Sequence, residues 1–375
     1  MILPGATIGF LGGGQLGRMA GMAARSLGYD VHVLDPDPNC PARAVASRTI
    51  TARFDDADAA ADLARRCDVV TLEIEQIAPE SMERIRGFAP VRPGGAVLDR
   101  VRDRADQKQW LSGCGFPVGP FRVVRSEAEL REAVAALGPS VAKTTRGGYD
   151  GRGQVRLSGE SDVQAAWAAL AGRPCVVEQF LELSYEISVL VARRPGGEAR
   201  AFPPSLNHHE RGVLTWSVTP APIPSEMASR ATQLAAAITR ALDVEGLLAV
   251  EMFVRGDGEL LVNELAPRPH NTYHTAGRAC LTSQFEQLVR AVCNLPLGAT
   301  DVVAPAAILN LLGDRWHDGA APPFPAALEL PGVRVHLYGK REARPGRKMG
   351  HLSAVGGTAE EALALVLAAG GILGS

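Results

Sequence analysis

Two glutamates set inside apolar runs carry the clearest metal signal in the sequence. Glu251 lies within the run 247–254 and Asn263-Glu264 within the run 260–265, and Arg255-Gly256-Asp257-Gly258 joins them. An Asp-Gly pair between two apolar runs is a hairpin signal. Folded about that turn, the two carboxylates come within about one register step of each other. Like charges that close repel, and in apolar surroundings their burial is costly. A divalent cation removes the conflict, and an all-oxygen donor set favours Mg2+ where phosphate-binding loops are also present. The plain alternative is that one glutamate faces solvent.

Arg268, His270 and Asn271 follow directly, in Leu265-Ala266-Pro267-Arg268-Pro269-His270-Asn271. A guanidinium, an imidazole and an amide at the end of a metal-bearing strand suit a small oxyanion such as bicarbonate, phosphate or carboxylate. Taken alone, His270 reads as an ordinary hydrogen-bonded histidine.

Three further segments suit phosphates. Lys143 ends a strand and leads through Arg146 into Gly147, Gly148, Tyr149, Asp150, Gly151, Arg152, Gly153 and Gln154. Such a loop can fold over a triphosphate, its N–H groups donating while Lys143 neutralises charge. It lacks the GxxxxGK[ST] pattern, so it is no Walker loop. Near the N-terminus, Gly12-x-Gly14-x-x-Gly17 with Asp35 matches a dinucleotide fingerprint. Gln15 and Arg18 suit instead a terminal phosphate such as that of a sugar phosphate, and a purely structural turn is the third reading. Lys340, Arg341, Arg344, Arg347, Lys348 and His351 form a cation cluster whose glycines and prolines suit a phosphate loop or a solvated one. Glu178-Gln179-Phe180-Leu181, at a strand end, has the groups to read an adenine edge and a ribose. Glu186 opens an apolar strand.

The elements that must position these residues alternate in type. Residues 6–11 read as a strand, the glycine loop follows, and Leu16, Met19, Ala20, Ala23, Ala24 and Leu27 recur at helical spacing up to Gly28. Strands at 29–35 and 69–74, the latter carrying Glu73 and followed by Glu75, complete a parallel sheet with helices on both faces. A charged helix spans about 100–111. A compact α+β piece at about 112–183 has the size of a lid: helix 127–137, strand 140–143, helix 163–170, strand 175–180. The remainder mixes strands with one long helix, 226–242.

Composition bounds the reading. A chain of 375 residues asks for two or three domains at about 150 residues each. Its 46% hydrophobic content excludes disorder throughout. Lys+Arg 39 against Asp+Glu 41 argues against nucleic-acid binding through a basic face. Six cysteines without a CxxC pair fit reduced thiols. No signal peptide is apparent, and the apolar stretch 362–373 is shorter than the about 20 residues a bilayer span needs. A soluble cytoplasmic protein without membrane partners is the expectation.

In order along the chain, GGGQLGRM (12–19), GGYDGRGQ (147–154), NELAPRPHN (263–271) and RPGRKMGH (344–351) resemble the ATP-grasp superfamily. Within it they closely resemble the N5-carboxyaminoimidazole ribonucleotide synthetases of purine biosynthesis, from about Gly9 to His351. The resemblance implies an α/β protein in three parts. These are a Rossmann-like domain at 1–98, a linker helix and ATP-grasp lid at 99–183, and a C-terminal ATP-grasp domain with a basic substrate loop at 184–375. It implies ATP-dependent carboxylation of 5-aminoimidazole ribonucleotide with bicarbonate, by way of carboxyphosphate, in a homodimer.

By motif position, ATP would be held by Arg104, Lys143, Gly148, Tyr149, Asp150, Gly151, Arg152, Gly153, Gln154, Glu178, Gln179, Phe180, Leu181, Glu186, His209, Asn263 and Glu264. Glu251 and Glu264 would hold Mg2+. Arg268, His270, Asn271 and Lys340 would be catalytic. The ribonucleotide would use Gln15, Leu16, Glu73, Tyr149, Asp150, Arg152, Lys340, Arg347 and Lys348. Leu72 and Ile74, beside Glu73, depart from a position often aromatic in that family. Another ATP-grasp ligase, such as the formate-dependent glycinamide ribonucleotide transformylase, is the near alternative. A NAD(P)-binding protein, resting on the first glycine loop alone, is the distant one.

Overall fold

The computed structural model describes residues 1–148, 152–317 and 319–374, so the expectations for Tyr149, Asp150 and Gly151 lie outside the described residues. Three sheets follow one another along the chain. The first comprises β1 (Thr7–Leu11), β2 (Asp30–Asp35), β3 (Arg48–Thr51) and β4 (Val69–Leu72), all parallel, in the order β3-β2-β1-β4. Its central strand β1 and its neighbour β4 are buried along almost their whole length because both faces are covered, while β3, at the edge, is half-exposed. Ile8, Phe10, Val31 and Val33 pack with Ala20 and Ala24 of helix Gln15–Ser26, while Leu11, Leu34, Val70 and Leu72 pack on the other side with Leu63 and Ile85. The carboxyl ends of β1 and β4 carry Gly12 and Glu73 to the crevice side, where open α/β sheets place their sites.

The second sheet is antiparallel, β5 (Phe121–Val124), β6 (Ser140–Thr144), β7 (Gln154–Leu157) and β8 (Cys175–Gln179) in the order β5-β8-β6-β7. Helices Glu127–Leu137 and Val163–Ala169 close its small core. The glycine loop is the β6–β7 connection, with Lys143 opposite Gln154.

The third sheet has nine antiparallel strands: β9 (Leu183–Arg193), β10 (Ala199–Ala201), β11 (Ser205–Glu210), β12 (Val213–Thr219), β13 (Gly246–Arg255), β14 (Leu260–Ala266), β15 (Ala306–Leu312), β16 (Arg334–Leu337) and β17 (Lys348–Val355). Its path is β14-β13-β9-β11-β12-β15-β17-β16, with β10 on β9. Helix Ser225–Ala241 lays Ala231, Ala235 and Ile238 against Val189, Val191 and Leu248. The parallel sheet followed by a small and a large antiparallel one is the expected α/β architecture.

One element differs from expectation. The charged helix foreseen at about 100–111 is two helices, Gly95–Val101 and Arg104–Gly113. Asp103 breaks it: its backbone is extended (φ −109°, ψ 121°) and its carboxylate accepts from the N–H groups of Ala105 (2.9 Å) and Asp106 (3.4 Å). An aspartate whose side chain caps the next helix cannot also continue the one before. Among the described residues no helix is long and apolar enough to cross a membrane.

Candidate active site

The hairpin register puts Glu251 of β13 directly opposite Glu264 of β14. A bulge follows, so that Met252 faces Val262 and Asn263 has no opposite number. Successive strand residues normally point to opposite faces, but the extra residue lets Asn263 and Glu264 both line the same cleft. Burial raises the Glu264 carboxyl, and the facing Glu251 raises it further. Burial alone would raise Glu251 too, but His270 Nε2, 3.0 Å from its Oε1, holds it below the usual carboxylate range.

His270 is fixed on both sides. Its Nδ1 is 2.9 Å from the Thr272 hydroxyl, and its backbone N–H and C=O pair with the Gln284 side-chain amide at 2.8 and 2.9 Å. Arg268 Nε donates to Glu75 Oε1 at 2.6 Å, tying the loop after β4 to the end of β14. His209 Nδ1 lies 2.9 Å from Glu186 Oε2. Burial alone would lower the His209 imidazole, but Glu186 and Glu251 raise it above its usual value. A bulge between His208 and His209 turns His209 inward while His208 stacks on Trp216 at 5.0 Å.

The lid side contributes Lys143 and Arg104. Arg104 clasps the start of the glycine loop, donating to the carbonyls of Thr144 (3.0 Å) and Gly148 (2.6 Å). Lys143 Nζ is 3.2 Å from Glu178, whose other oxygen lies 3.3 Å from Lys108 Nζ. Burial would raise the Glu178 carboxyl, but the two ammonium groups hold it down.

Lys108, the second cation on Glu178, is the residue of this cluster that sequence reasoning missed. Its signal was available: in helix Arg104–Gly113 it shares the buried face with Ala105 and Leu111, where a lysine needs a partner. Replacing it with methionine leaves Glu178 one cation short in a buried place. Lys108→Met is expected to cost about 3–5 kcal/mol of stability in chemical denaturation, and Glu178→Gln in the same chain to restore part of it. An unchanged denaturation midpoint would show that Glu178 does not depend on the Lys108 charge.

One cleft of about 420 Å3 collects Arg104, Lys143, Gly148, Arg152, Gln154, Glu186, His209, Glu251, Asn263, Glu264, Arg268, His270, Asn271 and Lys348. Gln15 and Lys340 stand behind it: Lys340 Nζ donates to Gln15 Oε1 (2.6 Å), and Gln15 Nε2 to Asn271 Oδ1 (2.9 Å). Gly153 packs on the Thr144 hydroxyl, and Arg347 donates to the Glu342 carbonyl at 3.0 Å. Glu178 is set behind Lys143. Gln179 Nε2 bonds the Leu137 carbonyl, Phe180 carries the Arg156 guanidinium 3.9 Å above its ring, and Leu181 lies against Gly119, all outside the cleft lining.

The first glycine loop corrects the dinucleotide reading. Its glycine N–H groups are already taken: Gly12 donates to the Leu34 carbonyl at 2.9 Å, Gly14 and Gly17 donate to the Glu73 carboxylate (the latter at 2.6 Å), and Gly13 donates to Asp35 at 2.7 Å. A Cβ on Gly14 would stand 2.5 Å from Glu73 Oε1, and one on Gly12 2.5 Å from Glu73 Cγ. The glycines admit an internal carboxylate to the positive end of the helix, the place a pyrophosphate occupies in the fingerprint. Glu73 therefore braces the loop that presents Gln15 and Leu16.

The donor set suits a small hard cation. Asn263 Oδ1 is buried with no hydrogen-bond partner among the described residues. With the two opposed carboxylates it forms an all-oxygen set on one face of the hairpin. Among the described residues there is no cluster of three or more His, Cys, Asp or Glu side chains able to hold a metal by themselves. Such a set fits Mg2+, which takes one or two carboxylates and completes its shell with phosphate oxygens and water.

Family models match in the same order: a ribonucleotide synthetase preATP-grasp domain at residues 5–101, an ATP-grasp domain at 109–285, and a phosphoribosylaminoimidazole carboxylase C-terminal domain at 306–365. The N5-carboxyaminoimidazole ribonucleotide synthase of Bacillus subtilis is 41% identical over 354 residues, covering 94% of this chain and 92% of that one. The chain belongs to the N5-carboxyaminoimidazole ribonucleotide synthase family. The Brucella melitensis member is 43% identical over 355 residues, covering 94% and 97%.

Among solved members of this synthase family, one in complex with ADP superposes with TM-score 0.93 at 42% identity over 99% of this chain and 97% of that one. The Aspergillus clavatus synthase, solved with ADP and 5-aminoimidazole ribonucleotide, gives 0.90 at 30% identity, covering 98% of each chain. Membership in this family of ATP-grasp ligases also sets aside the transformylase and NAD(P)-binding alternatives.

Proposed function

We infer that the protein carboxylates the N5 amine of 5-aminoimidazole ribonucleotide with bicarbonate, converting ATP to ADP and phosphate. The observation that carries this reading is the meeting, in one cleft, of the Lys143 loop, the opposed Glu251 and Glu264 with Asn263, and the Arg268, His270, Asn271 group. Phosphate-binding cations, a carboxylate pair and oxyanion donors are the three parts a bicarbonate-activating phosphoryl transfer needs.

In this reading Arg104, Lys143 and the 148–154 loop hold the triphosphate, with Glu186, His209 and the 178–181 strand end on the nucleoside side. Glu251, Glu264 and Asn263 would hold Mg2+, which when bound neutralises phosphate oxygens as negative charge moves onto the leaving ADP. Arg268, His270 and Asn271 orient a bicarbonate oxygen in line with the γ-phosphorus. A new O–P bond forms, the β–γ bridge breaks, and carboxyphosphate and ADP result.

The ribonucleotide amine then attacks the carbonyl carbon, or CO2 released from it within the site. Phosphate departs and the amine loses a proton. Lys340, Lys348, Arg347 and Arg152 supply cations for the ribonucleotide and the departing phosphate. Water must stay out, since carboxyphosphate hydrolyses, and Gly148, Arg152 and Gln154 of the β6–β7 connection line the cleft on the lid side. A homodimer and a cytoplasmic setting belong to the same reading.

Release of ADP, measured with 5-aminoimidazole ribonucleotide with and without bicarbonate, tests it. Dependence on both is the expected result. Equal ADP release with formate and glycinamide ribonucleotide, or tight NAD(H) binding without ATP binding, sinks it.

A further inference from the structure

Three imidazoles stacked behind the cleft have no part in the chemistry above. His274 and His351 lie parallel, ring centroids 4.6 Å apart, and His336 continues the column at 5.1 Å. His274 is buried, with Phe285 stacked nearby at 5.8 Å. Its edge, not its face, reaches the active site: Nε2 lies 3.1 Å from Asn271 Oδ1.

A directed chain of hydrogen bonds decides which nitrogen of His274 carries the proton. The Gln284 amide is locked by its reciprocal pair with the His270 backbone, Oε1 accepting from N–H and Nε2 donating to C=O. That orientation leaves an N–H of Gln284 Nε2 facing His274 Nδ1 at 3.4 Å, so Nδ1 accepts. In a neutral ring the proton is then on Nε2, which donates to Asn271. Neutrality is consistent with burial, which holds the His274 imidazole well below its ordinary value. Asn271 Oδ1 receives a second hydrogen bond from Gln15 Nε2 at 2.9 Å, and Gln15 is itself set by Lys340.

With both lone pairs of Oδ1 engaged, the amide cannot rotate: the flipped form would set its NH2 against two donors. Its Nδ2 makes no hydrogen bond to any described residue, and Asn271 lines the cleft together with His270 and Arg268. The NH2 group is thus kept as a donor for an oxyanion. We propose that His274, held by Gln284, is a positioning residue that fixes the Asn271 amide with its N–H groups toward bicarbonate.

The proposal rests on the bicarbonate reading of the cleft. It predicts a specific kinetic split. His274→Phe keeps a ring in the stack and removes the donor; kcat/KM for bicarbonate should fall about tenfold or more, with the KM for ATP within about twofold of the wild type. His274→Gln, which restores an N–H donor, should recover a large part of the loss. Wild-type bicarbonate kinetics in His274→Phe would overturn the proposal. So would an equal fall for all three substrates with no recovery in His274→Gln, the pattern of a merely structural ring.

Should the phenylalanine variant not fold, long-range 1H–15N spectra of the histidine-labelled wild type decide: an Nε2–H tautomer for His274 is expected, and Nδ1–H or the imidazolium overturns it. A wild type whose ADP release ignores bicarbonate would sink the functional reading instead, and would leave the tautomer result standing by itself.

Discussion

Glu264→Gln should lose ATP-dependent turnover by about a thousandfold or more while its fold survives. The substitution keeps the shape of the side chain and removes one of the two charges that face each other across the β13–β14 pair. Without a cation the Glu264 charge opposes folding: burial and the Glu251 carboxylate both push its carboxyl up. Removing it therefore costs the metal-free protein nothing, and its melting temperature should match or exceed that of the wild type. A cation that binds only the native state stabilises it by mass action, so Mg·ADP should raise the wild-type melting temperature and leave the variant's nearly unmoved. Turnover, melting without metal and the Mg·ADP shift together separate loss of the metal from loss of the fold. Activity close to the wild type would remove Glu264 from the metal site.

What the sequence discloses about this site depends on how local each interaction is. The opposed glutamates are legible because a short turn fixes the register of the two strands it joins, and the carboxylates stand out against apolar neighbours. The bulge at Asn263 is not legible, since one extra residue in a ladder leaves no periodic trace, yet it brings Asn263 into the cleft beside Glu264.

The first glycine loop fails for a different reason. Glycines there mean close approach of a negative group, and the sequence alone does not say whether that group is a ligand phosphate or a carboxylate 59 residues further along the chain. Lys108 shows in the sequence only as a lysine on a buried helix face, and His274 not at all, because their partners Glu178 and Asn271 meet them only in three dimensions. The near balance of charge, 39 basic residues against 41 acidic, hides this segregation: Lys143, Arg152 and Lys348 bring cations to the cleft from two parts of the chain, and the paired carboxylates sit on one hairpin.

Arg268→Lys should reduce bicarbonate-dependent turnover by about 10^2–10^3-fold and leave ATP affinity nearly unchanged. Arg268 has two tasks at once. Its Nε is held by Glu75 at 2.6 Å, and Nη1 donates to the Pro269 carbonyl at 3.2 Å, which leaves the other guanidinium N–H groups for the cleft. A planar fork meets both needs, whereas a lysine ammonium is a single point of charge on a flexible stem. It either pairs with Glu75 or turns to the oxyanion. Because the charge is kept, Glu75 is not left alone in a largely buried place, so the fold should stand where Arg268→Ala would confuse lost binding with lost stability. Steady-state ADP release at varied bicarbonate and fixed saturating ATP reads the effect. An unchanged bicarbonate dependence, or ATP affinity falling in step with it, would take Arg268 out of the oxyanion site.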